Sequence, residues 1–147
     1  VRGGVEVIGP KVAKPSKADE KAAYEVATLR DMGVCVRCRR VHPLHGVNRD
    51  HRKERSLGGL TKPSNLQLLC GSGTTGCHGF KTTNPKAAMD EGLSVPSWAD
   101  PLVWPGRRWV RDGMGVLRPI WCLYRDDGTW DQITDDNAME RMKGAGW

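Results

Sequence analysis

Four cysteines set the strongest constraint on how this chain can fold. Cys35 and Cys38 form one pair, and Cys70 and Cys77, with six residues between them, form another. Four soft ligands carried on two chain turns are what a tetrahedral thiolate zinc site requires. A Cys-x-x-Cys turn flanked by arginines, with no apolar secretory leader, favours metal and a reducing compartment over disulfides. The span from 35 to 77 must therefore double back on itself. The fifth cysteine, Cys122, reads as a small buried apolar residue. No apolar run approaches the roughly 18 residues of a membrane span.

Inside that span stands a second set of residues that a thiolate zinc site does not need. Asp50-His51, Asn65 and His78 bring together a carboxylate, two imidazoles and an amide, the composition of a hydrolytic centre. Each has a plainer reading alone: Asp50 as a strand carboxylate, Asn65 as a turn residue, His78 as a zinc ligand in place of one cysteine. His42 and His45 could each ligate a metal, but four cysteines already complete a zinc shell, so both are expected in a loop or near the phosphate track.

Along the chain, residues 1–15 show no periodicity and are expected to be a flexible lead-in. Ser16, with Asp19 at the capping-box position, predicts a helix whose apolar face is Ala22, Val26 and Leu29 and which stops at Gly33. Val47–Arg52 and Asn65–Cys70 read as strands, and a short helix is expected from Cys77-His78. Asn84-Pro85 predicts the cap and start of another helix, closed by Gly92. All six tryptophans lie in residues 98–147. There Trp121–Tyr124 and Trp130–Ile133 flank Asp126-Asp127-Gly128 as a β-hairpin, and a helical turn follows over 135–143. The tryptophans are expected to form a small apolar cluster.

The formal charge is +6, and its placement is uneven. Residues 98–147 hold seven Lys/Arg against eight Asp/Glu, whereas Arg37 to Lys62 hold eight basic against two acidic. A basic concentration around a candidate centre is the footprint of a polyanion binder.

The sequence Arg49-Asp50-His51-Arg52-Lys53-Glu54-Arg55-Ser56-Leu57-Gly58-Gly59, then Asn65-Leu66-Gln67-Leu68-Leu69-Cys70 and Gly76-Cys77-His78-Gly79-Phe80-Lys81, resembles the HNH endonucleases. It is most similar to the small zinc-bearing members of phage and prophage genomes. The resemblance extends over about residues 35–98, through Val95-Pro96-Ser97-Trp98. It implies an α+β fold with a ββα-metal (His-Me finger) core, stapled by a zinc site of four cysteines. An N-terminal helix belongs to that domain (16–98), and a Trp-rich hairpin extension follows (99–147).

The resemblance further implies hydrolysis of DNA phosphodiesters by one divalent ion, Mg²⁺ or Mn²⁺ among the candidates. His51 would be the general base, Asp50 and His78 metal ligands, and Asn65 the residue that orients the base or holds its loop. Arg49, Arg52, Lys53, Arg55 and Lys81 would contact the nucleic acid. Such a protein would work in the cytoplasm of a bacterial host, with terminase or other packaging proteins as partners. One departure stands out. Where some relatives place a further ligand after the equivalent of His78, this chain has Lys81 and Thr82. Two other readings stay open: a non-catalytic zinc module that binds nucleic acid, and an interaction protein docking through its tryptophan-rich end.

Overall fold

The computed structural model of the protein describes residues 14–143; most of the expected lead-in, and Trp147, lie outside the described residues. The first helix, α1 (Lys17–Arg30), starts as its capping box dictates: Ser16 Oγ accepts from the Asp19 amide and the Ser16 amide donates to the Asp19 carboxylate, each at 3.1 Å. Its buried face is not the expected one. Ala23 and Ala27 are buried, while Leu29 is 79% exposed. Two alanines one turn apart let the helix backbone approach Leu66 closely, which a leucine would prevent.

Strands β1 (Val47–His51) and β2 (Leu66–Cys70) form an antiparallel pair in which Asp50 faces Gln67 and His51 faces Leu66. Every residue of β2 is buried, because α1 covers one side and the cysteine knuckle with the following helices covers the other. Helices α2 (Gly76–Thr83) and α3 (Pro85–Glu91) come next. Asn84 does not cap α3 with its side chain. Its Nδ2 turns back to the Phe80 carbonyl at 3.1 Å and so closes α2 instead.

A second sheet has the order β3-β4-β5, built from β3 (Gly106–Arg111), β4 (Leu117–Tyr124) and β5 (Trp130–Ile133). The expected hairpin is its β4-β5 half, followed by α4 (Asp135–Lys143). This gives four helices and two small sheets among the described residues, an α+β architecture. None of these helices is long and apolar enough to cross a membrane.

The two sheets are tied together by polar bonds. The Trp109 amide donates to the Val36 carbonyl at 2.9 Å, and Asp126 accepts from the Ser64 amide at 3.0 Å. At the centre, buried Asp31 pairs with Arg30 of α1 and Arg108 of β3. The Tyr124 ring is faced by the guanidiniums of Arg30, Arg52 and Arg108, 4.4, 4.8 and 5.7 Å from its centroid. The tryptophans are spread out, contrary to a single apolar cluster. Trp104 and Trp121 are buried, Arg107 stacks on Trp121 at 4.5 Å, and Trp98 is exposed. Cys122 is buried as a free thiol.

Candidate functional site

The four cysteines of the two pairs meet. Their sulfurs all lie within 4.8 Å of one another, and Cys38 and Cys70 sulfurs are 3.5 Å apart. A zinc–sulfur bond of about 2.3 Å sets a tetrahedral edge of about 3.8 Å, so the donor set matches a metal such as zinc. Backbone amides are aimed at the sulfurs: Arg37 and Cys38 toward Cys35 at 3.4 and 3.5 Å, and Cys77 toward Cys70 at 3.3 Å. Arg37 also reaches the Cys77 sulfur, pairs with Glu91 and lies over the Phe80 ring. The hydrogen bond from Cys77 brings the Cys35 thiol down to about 5, while Cys77 itself is driven up by that bond. Without a cation, then, the ionised Cys35 keeps its neighbour protonated; all four sulfurs could be thiolates together only around a bound metal.

The loop between Cys70 and Cys77 is compressed to make this possible. Gly71 adopts φ +92°, and a Cβ there would lie 2.1 Å from the Thr75 carbonyl oxygen. His42 and His45 stand apart from the cluster, stacked on each other at 5.1 Å in a turn closed by pairing of His42 with Gly46.

Cys77 is followed directly by His78 in the first turn of α2, so the cysteine cluster fixes where that imidazole sits. His78 Nε2 lies 3.4 Å from Asp50 Oδ1. The other oxygen of Asp50 is committed: Lys81 Nζ donates to Oδ2 at 2.6 Å and Gln67 Nε2 at 2.9 Å. Lys81 also donates to the His51 carbonyl at 2.7 Å. Burial opposes ionisation of Asp50, but bonds from His78, Lys81 and Gln67 outweigh it and hold its carboxyl below the usual range. As it stands His78 Nε2 donates to Oδ1; with its hydrogen moved to Nδ1, the same pair could offer a divalent ion one oxygen and one nitrogen.

His51 leaves the strand on the opposite side from Asp50, as pleating requires. Its Nε2 is 2.8 Å from Thr61 Oγ1, a hydroxyl that also accepts from Arg55 at 3.0 Å. The Tyr24 ring of α1 meets the imidazole edge-on with centroids 6.2 Å apart. Burial, reinforced by the Arg55 charge, lowers the His51 pKa below its ordinary value. Because His51 ends β1, a shallow hollow of about 400 Å³ straddles the strand end and opens on Asp50, His51 and His78 together.

Asn65 does not reach the hollow. It is buried and clamps the loop that walls it: Nδ2 donates to the Lys53 and Leu60 carbonyls, both at 2.9 Å, and Oδ1 accepts from the Lys53 amide at 2.7 Å. Gly59 permits this, since a Cβ there would overlap the Lys53 carbonyl oxygen at 1.8 Å.

The basic residues divide. Arg49 and Arg55 are exposed on the rim, with Arg49 stacked over Tyr24 at 5.0 Å and Arg55 bonded to its hydroxyl at 3.1 Å. Arg52 is not a surface cation. It is 1% exposed, and its guanidinium donates to the Ser64, Pro101 and Trp104 carbonyls at 2.7, 3.0 and 2.9 Å. Lys81 is likewise spent inside the site rather than on a phosphate, and Lys53 Nζ is bonded to the Ala99 carbonyl at 3.0 Å. Sequence reasoning missed Tyr24, Thr61 and Gln67, none of which carries a local signal. Compared with family models, curated proteins and solved structures, the chain matches none.

Proposed function

We propose that this hollow is the centre of an HNH-type endonuclease with a ββα-metal core, built from β1, β2 and α2, that hydrolyses DNA phosphodiesters. The observation that carries the reading is the common opening of Asp50, His51 and His78. Asp50 Oδ1 and His78 Nε2 would hold a divalent ion, and Cys35, Cys38, Cys70 and Cys77 a structural zinc. Bound there, Mg²⁺, Mn²⁺ or a similar ion supplies charge neutralisation at the scissile phosphate and its leaving oxygen. One oxygen and one nitrogen donor suit such ions without selecting among them.

The proton work falls to His51. In the tautomer whose Nε2–H donates to Thr61, the lone pair resides on Nδ1, which has no hydrogen-bond partner among the described residues. A pKa lowered by burial keeps the imidazole neutral at pH 7, fit to accept a proton from the attacking water. The water oxygen bonds to phosphorus as the bond to the 3′ oxygen breaks. Arg49 and Arg55 on the rim hold flanking phosphates, and Asn65 keeps the loop wall in register.

Plasmid nicking with Mg²⁺ or Mn²⁺, by the wild type and by His51→Ala, tests this. General-base loss should slow nicking by about 10²–10⁴-fold. If the wild type shows salt-sensitive DNA binding but no divalent-dependent cleavage, the protein is a zinc-stabilised nucleic-acid-binding module instead.

A further inference from the structure

The loop from Lys53 to Leu60 is a wall with two sides. Glu54, Arg55 and Ser56 face the hollow that holds His51, whereas Lys53, Gly58 and Gly59 face a second cavity of about 640 Å³. That cavity contains Trp98, the most exposed tryptophan among the described residues at 63%. An indole left this open keeps a large apolar face in water unless something covers it. Lys14, Lys53 and Lys62 line the same cavity. The two carboxylates of the cavity are partly engaged: Asp100 accepts from the Leu102 amide at 2.9 Å, and Asp126 from the Ser64 amide at 3.0 Å. Lys53 also pins Ala99, the residue next to Trp98, through its carbonyl.

We infer that the Trp98 cavity binds an unpaired nucleotide of the nucleic acid, its base stacked on the indole and its phosphates beside the lysines. An exposed indole offers a flat face, and a base offers one only when it has left the duplex stack. Three lysines against two aspartates leave the lining with a net positive charge, which favours a phosphate backbone over an uncharged apolar segment. A strand crossing the exposed tip of the loop at 54–58 would join the two cavities. The inference rests on the proposed nuclease reading and deepens it: the substrate class is DNA with single-stranded character beside the cut, such as a flap or a gapped end.

Binding without divalent ions separates this inference from the cleavage assignment, because no cutting is needed to read it. Fluorescently labelled oligo(dT), a flap and a blunt duplex are titrated with the full chain, with Trp98→Ala and with Trp98→Phe. Trp98→Ala should bind oligo(dT) and the flap about tenfold more weakly, and the blunt duplex within about twofold of wild type. Trp98→Phe should retain most of the affinity while losing part of the indole quenching that oligo(dT) produces. An abasic site introduced in the flap should abolish the difference between wild type and Trp98→Ala. Equal affinities of wild type and Trp98→Ala for unpaired DNA, or equal losses on flap and blunt duplex, would overturn the inference.

Discussion

The cysteine cluster and the Asp50–His51–His78 hollow both gather side chains of types that can bind metals, yet they are built in opposite ways. In the cluster four identical donors converge, three of the four cysteines are buried, and backbone amides support the sulfurs. Nothing in it is left for a substrate. In the hollow two unlike donors stand 3.4 Å apart, one carboxylate oxygen is occupied by an internal cation, and the remainder opens outward. A saturated ligand set holds a fold, and an unsaturated one leaves positions for chemistry. The peptide bond between Cys77 and His78 links the two, so the first sets the geometry of the second.

The largest effect that would break this comparison is on the cluster. Cys70→Ser should leave the chain unfolded at room temperature, because thiolate zinc supplies on the order of 10 kcal/mol of folding free energy in small domains. Circular dichroism together with zinc analysis of the wild type checks it; one zinc per chain is expected. A folded, metal-free wild type would show that the thiols pack without a cation.

Next in size is the buried ion group that joins α1, β2 and β3. Asp31→Asn should cost about 3–5 kcal/mol by leaving Arg30 and Arg108 without their carboxylate. Burial opposes the ionised form of Asp31, but its bonds to Arg30 and Arg108 prevail and lower its pKa below 3.8. A lowered carboxylate contributes stability that is present above pH 3.8 and lost as pH falls through the folded value. Urea melts of the wild type from mildly to strongly acidic pH should show that loss, and Asp31→Asn should flatten it.

Asn65→Ala should cost about 2–3 kcal/mol, since it strands the carbonyls of Lys53 and Leu60 and the Lys53 amide. Thermal melts give the magnitude, and a neutral result would remove Asn65 from the loop clamp. The smallest effect sharpens the contrast instead of breaking it. Lys81→Met frees Asp50 Oδ2 from an ammonium and should tighten Mn²⁺ binding to the hollow several-fold, read by calorimetry. Weaker binding would mean that Lys81 holds the ligands in place more than it competes for them.

What could be read from the sequence was whatever has a local signal. The cysteine spacing, the Ser16–Asp19 box, the two strands around Asp50 and Leu68, and Gly92 after α3 all act within a few residues. The Ala23/Ala27 face was not legible, because Leu29 is the more apolar residue and only the approach of β2 selects the smaller ones. Strand β3 was hidden by the arginines at 107, 108 and 111, which obscure its alternation. Arg52, inside the basic stretch, and Lys81, beyond it, look like phosphate ligands. Whether such a side chain meets solvent or buried carbonyls is decided by Pro101, Trp104 and Asp50, up to 52 residues away.

The central claim is that the imidazole of His51 removes a proton from water at this site. Imidazole rescue tests it most directly: nicking of supercoiled plasmid by His51→Ala is measured in Mn²⁺ as free imidazole is added. The account predicts a slow variant whose rate climbs with imidazole concentration, while Asp50→Ala gains nothing. A His51→Ala protein that nicks at the wild-type rate, with no response to imidazole, would contradict it.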